Sequence, residues 1–203
     1  DDSTILSSHL RGDSHKYSEE NLTYRLSFTK LIDNFTLNLS ESTGLRYPDL
    51  FVLHGSNPSG SYRSMMTTKP EKSKTHEFSV KYDFSNNLFL ETTAYKGSVS
   101  DVLNRGTSTN GYNEIIDINQ EGLESRLTLG DEDQKFILSS TFSKSREGDG
   151  DPQLRRPEKQ FGIKYSKKLI TSFLGELNLN YDYRHVGRVC LLYTSPSPRD
   201  SSQ

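Results

Sequence analysis

Apolar residues recur at every second position through most of this 203-residue chain. Leu22, Tyr24, Leu26 and Phe28 alternate with Thr23, Arg25, Ser27 and Thr29. Phe78, Val80, Tyr82 and Phe84 alternate with Glu77, Ser79, Lys81 and Asp83. The same rhythm carries Phe35, Leu37 and Leu39, then Leu123, Leu127 and Leu129, then Phe161, Ile163 and Tyr165, then Leu177, Leu179, Tyr181 and Tyr183. A period of two puts successive side chains on opposite faces of a strand, so each segment has one apolar and one polar face. No segment keeps a helical period over a useful length, and the fold class is all-β. Two irregularities stand out: Ile137 and Leu174 fall on the polar face, and Leu88, Phe89 and Leu90 are apolar on both.

About nine strands follow, near 3–11, 21–31, 34–44, 74–84, 87–97, 115–129, 134–145, 158–166 and 171–185. Most are about ten residues long, the length of a tilted membrane-crossing strand, whereas strands of soluble proteins average roughly five to six. The connections alternate in length. Tight turns are expected at Leu31–Asn34, Ser85–Asn87, Gly130–Asp133 and Lys167–Ile170, and longer polar loops at Gly12–Glu20, Leu45–Ser73, Ser98–Glu114 and Arg146–Pro157. In an up-and-down meander every second connection lies at the same end. The long loops therefore share one end, as the extracellular loops of outer-membrane barrels do. A soluble β-sandwich or adhesin module has no reason to sort its loops this way.

Composition agrees. Hydrophobic residues make up 31% of the chain and mean hydropathy is −0.75, low for a soluble core, while 11 Tyr and 10 Phe argue against disorder. The formal net charge of −2 leaves no footprint for nucleic acid. No apolar run approaches the roughly 20 residues of a membrane helix, which says nothing against strands that alternate. In hydrocarbon every backbone N–H and C=O needs a protein partner, so a closed barrel can span where an open sheet cannot. Lipid demands the apolar face; an aqueous lumen accepts Lys81, Arg126 and Glu176, which all fall on the polar one. Tyr24, Tyr82, Phe84, Tyr181 and Tyr183 suit the aromatic girdles of such a wall.

The chain starts at Asp1 and shows no signal peptide, so it is read as truncated at its N-terminus. Residues 1–188 are read as part of a barrel. Residues 189–203 are read as a disordered tail: Cys190 to Asp200 looks like the translation of a transposase-type sequencing adapter. Cys190 is the only cysteine of the chain, so disulfide, thiol and zinc-thiolate chemistry are not expected in the barrel part.

Several short patterns resemble the barrel of TonB-dependent receptors, particularly the cobalamin and siderophore branch. Arg11-Gly12-Asp13-Ser14-His15, followed by Thr23-Tyr24-Arg25, resembles a loop and strand of that family. Gly44-Leu45-Arg46-Tyr47-Pro48, running to Leu53-His54-Gly55, resembles its Arg-Ala-Pro segment, with Tyr47 for the small residue. Lys69-Pro70-Glu71-Lys72-Ser73, with Glu77 beyond, resembles its Leu-x-Pro-Glu-x-Ser…Glu pattern, with Thr68 for the Leu. Gln120-Glu121-Gly122-Leu123-Glu124 resembles a later strand start, and Leu154-Arg155-Arg156-Pro157 the Arg-Arg-Pro loop after it. The elements come in the family's order. The resemblance implies a 22-stranded outer-membrane receptor with a plugged lumen, which imports a scarce nutrient such as a siderophore-iron complex or cobalamin. It implies as partners outer-membrane lipid, a plug domain and the TonB energy-coupling complex, reached through parts that this chain is expected to lack, together with a small-molecule or metal-chelate substrate. A passive porin would share the strands without the Pro-Glu-Lys-Ser signature.

No catalytic, metal or cofactor site is expected. Asp13, Ser14 and His15 are adjacent but lack a nucleophile elbow and an oxyanion hole, and read as polar loop residues. Gly148-Asp149-Gly150-Asp151 has calcium-type ligands without the later Glu, and reads as a hairpin tip. His9, His15, His54, His76 and His185 show no metal spacing. Arg155 and Arg156 could meet an anion, though a strand-start ion pair accounts for them as well. Ligand contact is expected in the long loops, around Tyr62, Arg63 and Arg105.

Overall fold

The computed structural model describes residues 2–15, 20–48, 69–105, 112–148, 150–153, 156–171, 173 and 175–187. Nine strands form one sheet in which each pairs antiparallel with its neighbours in sequence. They are β1 (Ser3–Asp13), β2 (Asn21–Ile32), β3 (Phe35–Arg46), β4 (Glu71–Ser85), β5 (Leu88–Arg105), β6 (Tyr112–Gly130), β7 (Gln134–Glu147), β8 (Lys159–Thr171) and β9 (Gly175–Val186). Among the described residues β1 and β9 do not pair, so the meander is an open wall. It carries its four tight turns at one end and its longer connections at the other.

The register turns nine alternating sequences into two continuous faces, because directly paired residues project to the same side. One row reads Phe35, Tyr82, Leu90, Leu127, Leu138, Ile163 and Tyr183 across seven strands. The neighbouring row on the opposite face reads Thr36, Lys81, Glu91, Arg126, Ser139, Gly162 and Arg184. Phe78, Val80, Tyr82, Leu127, Ile163 and Leu179 therefore share the apolar face, and Glu77, Lys81, Arg126 and Glu176 the polar one, as the alternation requires. From Phe78 to Phe84 the apolar belt runs about 20 Å along the strand, before the reach of its end side chains. At its turn end Phe35 and Tyr82 pack at 4.4 Å and Tyr82 meets Phe84 edge-on at 4.6 Å.

Burial separates the faces further. Ser40, Ile118 and Thr128, each 4% exposed, all lie on the polar side, whereas Leu39 and Phe78 on the apolar side are 57% and 48% exposed. Side chains crowd on the concave side of a curved sheet and spread on the convex side, so the polar face is the concave one. The irregular residues fit there too: Phe89 and Ile137 flank buried Thr128 in register, and the Lys81 ammonium lies 4.8 Å from the Phe89 ring centroid.

Two expected boundaries need correction. The β5–β6 ladder runs far beyond residues 97 and 115, to Arg105 paired with Tyr112. A register shift between Val99 and Val102, with Asp101 at φ 57° and its N–H donating to Asp117 Oδ1 at 3.2 Å, carries it past the break in alternation. The last tight turn is not at Lys167–Ile170, which lies within β8; β8 runs on to Thr171 and β9 starts at Gly175, at φ 71°. Lys168 and Glu176 close that hairpin with an ion pair of 3.0 Å. Leu174 and the 189–203 tail lie outside the described residues.

Candidate functional site

The family-like positions come together on the concave face at its loop end. Arg46 pairs with Glu71 and Gly44 with Ser73 in the β3–β4 register. The Arg46 guanidinium is 3.4 Å from Glu71 Oε2, while Glu71 Oε1 accepts the Leu103 N–H of β5 at 3.3 Å. One carboxylate thus fastens three strands. Pro70, fully buried, sets the chain just before it. A Cβ on Gly44 would lie 2.5 Å from Ser73 Oγ, so the glycine makes room for the serine of the Pro-Glu-Lys-Ser stretch. Pro48 follows Tyr47, whose hydroxyl donates to the Asp13 carbonyl at 3.4 Å and whose ring stacks on His15 at 4.6 Å.

One level nearer the belt a second cluster forms along the row Ser40, Glu77, Tyr95 and Gly122. Ser40 Oγ donates to Glu77 Oε2 at 3.2 Å, and Arg25 of β2 stands 3.9 Å from the same oxygen. The Tyr95 ring lies across Gly122, where an added Cβ would come within 2.6 Å of it. The Tyr95 hydroxyl reaches the Ser143 side chain, and Glu124 and Arg156 act on it electrostatically. Gly122 thus lies under the Tyr95 ring, and Glu124 of the same strand and Arg156, far along the chain, both act on its hydroxyl. That tyrosine was not singled out by the sequence reading, although an aromatic in phase with Glu91 and Thr93 was a usable signal.

Not every expected residue joins this patch. Tyr62, Arg63 and Arg155 lie outside the described residues. Arg105 ends β5, and its side chain is likewise outside them. Asp13 binds Arg11 at 2.6 Å while His15 stacks on Tyr47, so the Asp13-Ser14-His15 run is drawn apart. The glycine-aspartate stretch is a hairpin tip in which the Gly150 N–H donates to the Glu147 carbonyl at 2.8 Å. Among the described residues no three His, Cys, Asp or Glu gather as metal ligands.

Beyond the wall itself, Asp131 caps the β6–β7 turn. It accepts the backbone N–H groups of Gln134 at 3.0 Å and Asp133 at 2.9 Å, and these bonds hold its carboxyl below the ordinary range.

On the convex face the belt ends abruptly toward the long loops. There Glu41 accepts from the Tyr24 hydroxyl and pairs with Lys74 and His76, each at 3.0 Å. The geometry as a whole offers a wall with lipid chemistry outside and paired, polar chemistry inside.

The sequence matches the family described as TonB dependent receptor-like, β-barrel, over residues 1–189. Two solved structures are similar in fold. The copper transporter OprC aligns at 20% identity and a TM-score of 0.56, over 74% of this chain and 25% of that one. The FrpB iron transporter from Neisseria meningitidis (F3-3 variant) aligns at 13% identity and a TM-score of 0.58, over 83% of this chain and 27% of that one. The chain thus spans about a quarter of the length of either structure. No curated protein matches the sequence.

Proposed function

Because the chain belongs to the TonB-dependent receptor β-barrel family, whose barrels sit in the bacterial outer membrane, we propose that it forms part of the wall of an energy-coupled nutrient transporter. The observation that carries this reading is the concave face, where the family-like positions Arg46, Glu71, Ser73, Gly122, Glu124 and Arg156 collect as a polar surface, with Arg46 and Glu71 as an ion pair. A wall that must hold a plug in water needs such a surface; paired charges keep the strands rigid while remaining compatible with a polar partner.

In this reading a plug domain fills the lumen, ligand binds between the plug and the long loops around Tyr62, Arg63 and Arg105, and the TonB complex drives release inward. The cargo class is a metal or metal chelate, in line with the copper and iron transporters that share the fold; a siderophore-iron complex fits that class. The loops would supply the ligand contacts and the strands would supply only their placement.

The test is uptake by cells with and without the complete gene. Deletion should lower accumulation of one labelled iron or copper chelate, and collapse of the inner-membrane proton gradient should abolish the remaining difference. Uptake that depends on the gene but persists without the gradient would identify a passive channel instead.

A further inference from the structure

β5 and β6 are the longest strands of the wall, 18 and 19 residues, and they outrun their neighbours at the loop end. The outermost β4 residue to pair with β5 is Lys72, opposite Ser100, and the outermost β7 residue to pair with β6 is Glu147, opposite Ile118. Past those points, among the described residues, β5 and β6 pair only with each other, from Val102 and Ile116 to Arg105 and Tyr112. They form a two-stranded ribbon standing above the wall. A ribbon of two strands is marginal alone. Here Val102 faces Ile116 and Leu103 faces Ile115, and these apolar pairs offer no charge to fix the ribbon's angle.

The foot of the ribbon is built differently from the ladder on either side. Val99 pairs with Ile118 and Val102 with Ile116, so Ser100 and Asp101 oppose Asp117 alone. Such a bulge interrupts the ladder and bends the strand. Asp101 takes φ 57° there, a left-handed conformation that is unfavourable for a residue with a Cβ and persists only where its surroundings impose it. Two β5 donors at the foot end on carboxylates. The Asp101 N–H donates to Asp117 Oδ1 at 3.2 Å and the Leu103 N–H to Glu71 Oε1 at 3.3 Å. Asp117 reaches in from the convex face, in the opposite phase to buried Ile118. Glu71 reaches in from the concave face, where Arg46 stands 3.4 Å from its other oxygen. One carboxylate thus braces each side of the bend.

We propose that the ribbon is a hinged arm, which pivots at the Ser100–Asp101 bulge and is held at its angle by Glu71 and Asp117 as positioning residues. A hinge needs only a few residues that absorb a change of backbone angle. Carboxylates suit the bracing, because a hydrogen bond to an ionised acceptor is stronger than one between neutral groups and opens without unzipping a strand. The arm carries the connection between Arg105 and Tyr112, so its angle sets where that connection stands relative to the lumen mouth. It goes beyond the transport reading: it requires only the bulge and its two carboxylates, whatever the cargo.

The complete barrel, with Cys190 replaced by Ser, is placed in lipid vesicles with spin labels at Leu39 on the wall and at Ile115 on the ribbon, about 30 Å apart. A second sample is labelled at Leu39 and at Asn119, just below the bulge. Double electron–electron resonance reads each distance distribution. The unaltered barrel should show one narrow distance for the Leu39 and Ile115 pair. Glu71→Ala and Asp117→Ala should each broaden it and leave the Leu39 and Asn119 pair narrow. Glu71→Gln keeps an acceptor for the Leu103 N–H and should stay narrow, as should Glu91→Gln, which removes a carboxylate further down the wall. Protection of the Leu103 amide should fall about tenfold in Glu71→Ala, the loss of one hydrogen bond. Strand content by circular dichroism confirms folding, and because the two braces are on separate strands, either alanine variant serves if the other does not fold. An unbroadened Leu39 and Ile115 distance in a folded alanine variant would overturn the braces, as would a Glu71→Gln distribution as broad as that of Glu71→Ala. Equal broadening of the Leu39 and Asn119 pair would overturn the pivot.

Discussion

Leu127 sits near the middle of the belt, flanked in register by Leu90 and Leu138, which are themselves flanked by Tyr82 and Ile163. Replacing it with Arg puts a cation where no partner projects to the same side within two strands. At the midplane such a charge costs about 2–4 kcal/mol, a factor of roughly 30 to 1,000 in the folding equilibrium. The contrast is Thr141→Arg, one strand away on the concave face, where Glu124 and Gln160 are the register neighbours. There the new guanidinium stays hydrated and gains an opposite charge, so the cost should be about 0–1 kcal/mol. Guanidinium titrations of both variants, made in the complete barrel in lipid vesicles and followed by tyrosine fluorescence, measure the difference. A Thr141→Arg cost equal to that of Leu127→Arg would refute the assignment of faces.

Three further outcomes follow from named contacts. Gly122→Ala should destabilise the wall by about 1–3 kcal/mol through overpacking, because its Cβ would meet the Tyr95 ring at 2.6 Å and the Phe142 carbonyl at 2.7 Å; the same titration reads the shift. The cap of the β6–β7 turn should be pH-dependent: with its pKa lowered by Gln134 and Asp133, Asp131 stabilises the turn above the unfolded carboxyl value near 3.8 and loses this as pH falls through the lower folded value. Protection of the Gln134 amide, its exchange rate relative to an unstructured chain at the same pH, should therefore fall only in acid, and Asp131→Asn should remove that dependence. Finally, the unpaired edges of β1 and β9 should make the chain self-associate in water without detergent, so sedimentation as a water-soluble monomer would contradict the open wall.

The two faces were legible in the sequence because a half-buried strand leaves a period of two wherever its environment is constant. Legibility failed where the environment changes along a strand. Past Val99 the hairpin of β5 and β6 continues through a bulge, so backbone pairing survives while the alternation slips, and the loop was drawn too long. The expected turn at Lys167–Ile170 lies inside a strand: Lys167 and Lys168 face opposite sides of the sheet, and Lys168 meets Glu176 across the β8–β9 ladder. The motif stretches marked Gly122 and Glu124 but not Tyr95, whose contact with Gly122 depends on register between strands.

The most direct measurement of the central claim, lipid outside and water inside, is spin-label accessibility along β6 in bilayers. Single cysteines placed in turn at residues 123–127 and 129, with Cys190 replaced by Ser, sample both faces of one strand. The account predicts that labels at 123, 125, 127 and 129 collide with oxygen, which partitions into lipid. Labels at 124 and 126 should collide with a water-soluble nickel chelate. A profile without this two-residue alternation, or with the two sets exchanged, would contradict it.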